Sequence, residues 1–293
     1  MYNEIIKNIS KTIIGNEEKI KLTLAAIISE GSILIEDFPG SGKTTFAKSI
    51  THNLGFNFKR IQFTSDLLPS DILGFNIFSN DKLSFQKGPI FTNIVLADEL
   101  NRGSPKSQSA FLEAMEEKNV SIDGVTYNLP EPFFVIATQN PMDSSGTSTL
   151  PDSQLDRFMI SFSLSELDDK EKMIMLKNDI GFNDNKLNPI NWDEIKIKKS
   201  KINLSDEIYK YVIEIEQTIQ SLDQKIYISS RCLKQIIDLA KGWAIIHEKE
   251  YVTHQDIKET LPYILRHRIK FLKQDEKFDF VKKEILEKIS IKK

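Results

Sequence analysis

Five stretches of the first 164 residues carry the apolar pattern of β-strands: residues 33–35, 58–63, 93–97, 133–138 and 159–164. Three of them, Ile33–Ile35, Ile94–Ala97 and Phe133–Ala137, are unbroken apolar runs, the pattern of parallel strands covered on both faces. Between the runs, apolar residues recur at helical spacing. Residues 1–12 carry Ile5, Ile6 and Ile9; a second helix, from the break at Ile13-Ile14-Gly15-Asn16 to about Ser29, carries Ile20, Leu24, Ile27 and Ile28. A helix over 44–52 is closed by Asn53–Gly55, and another runs from Ser104-Pro105 to about Glu117, with Ser104 as cap and Pro105 in the first turn. Residues 67–74 read as a turn and a short helix, and Leu150 to Phe158 as a short helix entering the fifth strand.

Two hairpins interrupt this alternation. Residues 75–87 have period-2 apolar positions around the polar tip Ser79-Asn80-Asp81, and residues 118–130 fold about Asp123-Gly124, a strong two-residue turn signal. Exposed Phe75, Phe78 and Phe85 would either grip a partner or pack on the body. From Ser165 the strand signals largely stop. A helix starting at Ser165-Glu166 carries Met173, Ile174 and Leu176, residues 181–203 read as an irregular connector, and 143–149 as a Ser/Thr/Gly-rich loop. Ser205 caps a helix striped with Ile208, Val212, Ile215 and Ile219. Ser229-Ser230 cap one with Leu233, Ile236, Ile237 and Ala240 inward; Thr253 with Asp256 opens a third, and residues 277–291 are amphipathic. The order predicts an α/β core over 1–164 followed by an all-helical part over 165–293.

The chemistry gathers at strand ends. Ile33-Leu34-Ile35-Glu36-Asp37-Phe38-Pro39-Gly40-Ser41-Gly42-Lys43-Thr44-Thr45 is a strand, a Gly-rich bend and a helix opening. Pro39 to Thr45 form the phosphate-binding loop, whose backbone N–H groups from Gly40 onward, with the helix dipole, make an anion cradle. Lys43 supplies a charge for β/γ-phosphates, and the Thr44 hydroxyl a ligand for Mg²⁺. Asp98 and Glu99 end the strand 93–97; Asp98 would hold the Mg²⁺ shell, and Glu99 would orient and deprotonate a water. That pairing favours hydrolysis of ATP over transfer to a second substrate. Asn140 follows the strand 133–138 and is placed to bond the attacking water or the γ-phosphate. Apolar residues at the break before the second helix would contact a nucleotide base or pack in the core; Ile14 and Gly15 are the base-contact candidates. Arg157 would form an ion pair with Asp156 or Asp152, or reach a neighbouring subunit's phosphates. Arg231, in the first turn of a helix, opposes the helix dipole, and an anionic nucleotide would account for it.

Composition narrows the classes. With 39 Lys and Arg against 42 Asp and Glu the net charge is −3, which gives no electrostatic case for nucleic acid or a membrane surface. The Lys196–Lys201 run reads as a solvated face, and a basic cluster stands at Arg266-His267-Arg268-Lys270. The single Cys232 permits no intramolecular disulfide, and the four scattered histidines suggest no metal site. No leader and no membrane helix are expected, so the reading is cytoplasmic.

These motifs resemble AAA+ ATPases, and several segments are similar to the MoxR family in particular: residues 60–71, Ala97–Arg102, Glu113–Glu117, Ala137–Pro141 and Gln154–Phe158. The resemblance covers about residues 13–268 and is looser between 179 and 225. Asp37, where phosphate loops usually have Gly, also occurs in that family; Leu100, Gly103 and the 145–148 sequence are mild departures. By resemblance, Lys43 and Thr44 form the Walker A pair, Asp98 and Glu99 the Walker B pair, Asn140 the first sensor, Arg157 the arginine finger and Arg231 the second sensor. Residues 75–87 match the family's helix-2 insert and 118–130 its pre-sensor hairpin. The resemblance also implies a hexameric ring with ATP between subunits, chaperone-like action on protein clients and a von Willebrand factor A-domain partner. Two other functions fit the motifs less well: a nucleic-acid motor or loader, and a scaffold that binds ATP without turnover.

Overall fold

The computed structural model describes residues 2–38, 40–79, 82–140, 150–177, 189–223 and 226–289. The predicted hairpin tip at 80–81 and the predicted loop at 143–149 lie outside them.

Five strands, β1 (Ser32–Glu36), β2 (Phe58–Gln62), β5 (Ile94–Asp98), β8 (Phe134–Gln139) and β9 (Phe158–Phe162), form one parallel sheet in the order β2-β5-β8-β1-β9. The register aligns their carboxyl ends, with Glu36 opposite Gln139 and Gln62 opposite Asp98. In such a sheet, ligands bind outside those ends.

Side-chain alternation divides the core. Ile33, Ile35, Leu96 and Ile136 face one apolar cluster, while Leu34, Val95, Ala97, Val135 and Ala137 face another. The first face is covered by α1 (Tyr2–Thr12), α2 (Glu17–Ile28) and α3 (Lys43–Leu54); the second by α4 (Pro69–Leu73) and α5 (Pro105–Glu117). Ser104 caps α5 by accepting from Ser107 N. Two antiparallel hairpins stand off the sheet: β3 (Gly74–Ser79) with β4 (Lys82–Lys87), and β6 (Asn119–Ile122) with β7 (Val125–Asn128). They lean on each other through the stacked rings of Phe85 and Tyr127, 4.1 Å apart, and a 2.6 Å bond from Asn76 Nδ2 to Asp123 Oδ2. Phe85 is thus held, whereas Phe78 is 71% exposed.

After the short α6 (Asp152–Leu155) and β9, the chain is helical. α7 spans Asp169–Lys177, not from Ser165, because Asp168 and Glu171 form the reciprocal cap that starts it. Its Met173, Ile174 and Leu176 are exposed. The predicted irregular connector is corrected in part. Residues 178–188 lie outside the described set, but Trp192–Lys201 is a helix, α8, capped by Asn191 and anchored by buried Trp192 and Ile195. Then follow α9 (Asp206–Gln220), α10 (Ser230–Ile246), α11 (His254–Leu265), α12 (Lys277–Phe280) and a π-helical turn over Val281–Leu286. The predicted stripe Ile208, Val212, Ile215 and Ile219 is buried, and Thr253 with Asp256 forms a complete capping box.

α10 lies backbone-close on α2. A Cβ at Gly242 would stand 2.3 Å from the Ala25 carbonyl oxygen, and Ser29 Oγ donates to the Asp238 carbonyl at 2.7 Å. One apolar cluster therefore runs from the sheet face through α2 into the helical part.

Candidate active site

α3 begins at Gly42, φ +88°, with no side chain capping its first turn. Its leading N–H groups are left for an anion, and Gly40, φ +83°, bends the loop before it. A Cβ at either glycine would meet open space, so the requirement for Gly here is conformational. Asp37 braces the loop: Oδ1 accepts from Phe38 N at 2.8 Å and Oδ2 from Leu164 N at 3.2 Å. Lys43 Nζ donates to the carbonyl oxygens of Phe38 at 2.5 Å and Asp37 at 3.2 Å. The ammonium thus rests on the loop's own oxygens. Pro39 lies outside the described residues.

Opposite α3 stand the ends of β5 and β8. A cavity of about 380 Å³ is lined by Gly40, Gly42, Lys43, Thr44 and Thr45 on one side and Asp98, Glu99 and Asn140 on the other. Buried Asp98 accepts from Thr138 Oγ1 at 2.6 Å, and Thr138 Oγ1 in turn accepts from Glu99 N at 2.9 Å. Glu99 has φ +54°, a left-handed conformation that costs a non-Gly residue of order 1 kcal/mol and turns its side chain off the strand axis. Its carboxylate accepts from Gln62 Nε2 at 2.8 Å and Arg102 Nη1 at 3.1 Å.

Three participants escaped sequence reading. Arg60 donates to Asp98 Oδ2 from Nε at 2.9 Å and from Nη2 at 2.6 Å; Gln62 holds Glu99; Thr138 links the Asp98 carboxylate to the backbone N–H of Glu99. The rule that singles out Asn140, a polar residue at a strand's carboxyl end, would also have found Gln62 on β2, but not Arg60 in the middle of that strand. What it could not supply is that β2 lies next to β5.

A second cleft, about 290 Å³, adjoins the first. Thr12, Ile13, Ile14, Leu164, Leu167 and Met175 line it, and it shares Gly42 and Thr45 with the phosphate-side cavity. An apolar slot continuing from an anion cradle suits a base beside its phosphates. Ile14 lines the cleft. Gly15, φ +71°, does not; it is packed against Glu171, whose carboxylate would lie 2.8 Å from an added Cβ. Ser41, another predicted contact, lines the same cleft.

Arg157 and Arg231 line neither cavity. They meet elsewhere, on the carboxylate of Glu116: Arg157 Nε lies 3.0 Å from Oε2, and Arg231 Nη2 donates to Oε1. Of the two readings of Arg157, the ion pair with Asp152 or Asp156 is not formed; its carboxylate partner is Glu116. Asp98 and Thr44 supply two hard oxygen donors across one cavity, a set that suits Mg²⁺ completed by phosphates and waters. Among the described residues no cluster of three His, Cys, Asp or Glu competes for a metal.

The basic cluster at 266–270 turns inward. Arg266, His267 and Arg268 are buried. Arg268 Nη1 donates to His267 Nε2 at 2.7 Å, so that nitrogen keeps its lone pair. Burial, Arg268 and Lys277 push the His267 pKa well below the ordinary imidazole value. Burial likewise raises the Cys232 thiol to about 11, which makes it inert. A larger cavity of about 960 Å³ lies between α2, α11 and the C-terminal helices, but none of Lys43, Thr44, Asp98, Glu99 and Asn140 lines it.

Comparison with known proteins agrees with this geometry. Residues 32–160 match the family described as "ATPase family associated with various cellular activities (AAA)", and residues 216–289 match the AAA lid domain. The chain is 38% identical to protein YeaC of Bacillus subtilis over 98% of its own length and 92% of the relative's. It is 32% identical to the chaperone MoxR1 of Mycobacterium tuberculosis over 96% of its own length and 78% of the relative's. The crystal structure of a candidate ATPase from Cytophaga hutchinsonii superposes with a TM-score of 0.86 at 35% identity, covering 99% of this chain and 94% of that one. The fold is an AAA+ core followed by a helical lid, and the activity is ATP hydrolysis. The chain belongs to the MoxR family of AAA+ ATPases. No helix among the described residues is long and apolar enough to cross a membrane.

Proposed function

We propose that the chain works in a ring, hydrolysing ATP at subunit interfaces in order to remodel or mature protein clients, in the manner implied by its chaperone relative. The carrying observation is the convergence of Lys43 and Thr44, at a free helix N-terminus, with Asp98, Glu99 and Asn140 at two strand ends around one cavity.

The roles follow from position. The N–H groups opening α3 and the Lys43 ammonium hold the β/γ-phosphates; Lys43 does so by leaving the Phe38 and Asp37 carbonyls. Thr44 and Asp98 would hold Mg²⁺, which would neutralise phosphate charge when bound. Glu99 accepts the proton of the attacking water, and Asn140 orients that water. The base lies over Ile14 in the adjoining cleft, with Ser41 in its lining and Gly15 next to Ile14 in the chain. Arg157, outside its own cavity, supplies transition-state charge to the neighbour's ATP, and Arg231 accompanies it. The core comprises residues 1–164 and the lid 165–293. A hexamer, a von Willebrand factor A-domain partner and a cytoplasmic site complete the reading. Against a nucleic-acid role for the basic run, Lys196 is paired with Glu131 and Asp193, and Lys199 lies near Asp238.

The test is steady-state ATPase rate against protein concentration for wild type and Arg157→Ala, with particle mass measured alongside. Specific activity that rises with assembly and collapses in Arg157→Ala supports a shared site. A rate per subunit independent of concentration and retained in Arg157→Ala rules it out.

A further inference from the structure

The residue before Arg157 is the most tightly held carboxylate of the core–lid contact. Asp156 is 5% exposed. Its Oδ1 accepts from Arg268 Nη2 at 3.0 Å, and its Oδ2 accepts from Ser229 Oγ at 2.7 Å. Its backbone carbonyl accepts from Gln235 Nε2 at 3.2 Å and from Arg268 Nη2 at 3.3 Å. The same guanidinium nitrogen reaches the carbonyl of Phe158 at 3.4 Å. Both chain neighbours of Arg157 are therefore gripped by one lid arginine, with α10 adding two more donors. Arg231 Nη1 stands 3.6 Å from Asp156 Oδ2.

Arg268 is itself fixed. It also donates to Gln235 Oε1 at 2.8 Å and to the Ile264 carbonyl at 2.5 Å. Two residues earlier, Arg266 Nη2 donates to Ser163 Oγ at 2.7 Å, and its Nε lies 3.6 Å from Glu36 Oε2. Glu36 Oε1 accepts from Gln139 Nε2 at 2.6 Å, beside Asn140. One short lid segment thus touches the strand ends of the chain's own phosphate-side cavity and, two residues on, the base of Arg157. The Arg157 side chain is 28% exposed, so the fold does not depend on burying it.

We infer that Asp156 and Arg268 are positioning residues for Arg157: the lid of one subunit sets where its arginine stands relative to the next subunit's ATP. The inference rests on the shared-site reading above. A lid that shifts with the nucleotide in its own cavity carries Asp156 with it through Arg268, Ser229 and Gln235. Arg157 follows, because its backbone is held on both sides.

The experiment is cross-complementation. Asp156→Asn keeps the shape of the side chain and removes its charge. Alone, it is expected to lower kcat about 100-fold, the effect of a displacement near 1 Å, with KM for ATP unchanged. Mixed with Glu99→Gln, which has a dead site and an intact arginine, it regains activity: about one interface in four is competent in a random 1:1 ring. A defect in its own site or general misfolding would not be complemented. Ser229→Ala deletes one hydrogen bond and leaves the charge pair; it is read in the same mixture if Asp156→Asn does not assemble, with a loss of about tenfold expected. Arg157→Ala mixed with Glu99→Gln is the control. Recovery in the control but none with the Asp156 or Ser229 variants, or a wild-type rate for those variants alone, overturns the positioning role. No recovery even in the control overturns the shared site itself, and this inference with it.

Discussion

Arg157 Nε lies 3.0 Å from Glu116 Oε2, in the same chain, and Arg231 takes the other oxygen of that carboxylate. Two cations that belong with a nucleotide in the proposed mechanism rest instead on the end of α5. The partners are 28% and 31% exposed, and ion pairs in such positions contribute about 0–1 kcal/mol. A phosphate group can displace so weak a partner.

Glu116→Gln is therefore expected to change thermal stability by less than about 1 kcal/mol and to retain ATPase activity in the assembled protein. Arg157→Ala is expected to lose activity, up to the roughly 10³–10⁵-fold that such arginines supply in other enzymes. Parallel rate and melting measurements check the pair. Equal loss of activity in both variants would mean that the carboxylate itself takes part in turnover.

Glu99 is held by Gln62 and Arg102 beside a cavity that also contains Lys43. Glu99→Gln keeps the hydrogen-bonding shape and loses the base. Phosphate release should fall by about 10²–10⁴-fold, while binding of a fluorescent ATP analogue stays within a few-fold of wild type. Loss of binding in step with turnover would assign Glu99 to holding the nucleotide.

Gly242→Ala should destabilise the fold although Ala favours helices. The added carbon would sit 2.3 Å from the Ala25 carbonyl oxygen and 2.5 Å from Ser29 Oγ, so α10 must move off α2. A cost of about 1–3 kcal/mol is expected, seen as a melting temperature several degrees lower. An unchanged melting temperature would show that the two helices are not in close contact.

His267 sets a pH dependence. Buried beside Arg268 and Lys277, it stays neutral at pH values where the unfolded chain's imidazole, with a pKa near 6.5, is protonated. Below about pH 6.5 the unfolded state binds one more proton than the folded state. Stability then falls by about 1.4 kcal/mol for each unit the pH is lowered, down to the depressed folded-state pKa. Above about pH 7 the residue contributes no slope. Denaturant melts at pH 7.5 and 5.5 should show a wild-type loss that is smaller by this amount in His267→Gln.

The sequence by itself determined the parts made by contiguous backbone. The phosphate loop is legible because Gly40, Gly42 and the opening of α3 are neighbours in the chain, and their conformations are local properties. The apolar runs predict buried parallel strands because both faces of such strands must be covered. Asp98, Glu99 and Asn140 are legible by the same logic, since each ends such a run, and the register then brings them to Lys43. Tertiary structure decided the rest. Arg60 and Gln62 reach the carboxylates only because β2 pairs with β5, which no local pattern states. The segment at Arg266–Lys270 looks like any charged turn in sequence; the burial of Arg266 and Arg268 is set by acceptors more than 100 positions away, at Ser163 and Asp156. Local propensity fixes which backbone shapes recur along a chain. Which charges meet depends on the packing of elements far apart in it, and that appears only when the sheet order and the seat of the lid are known.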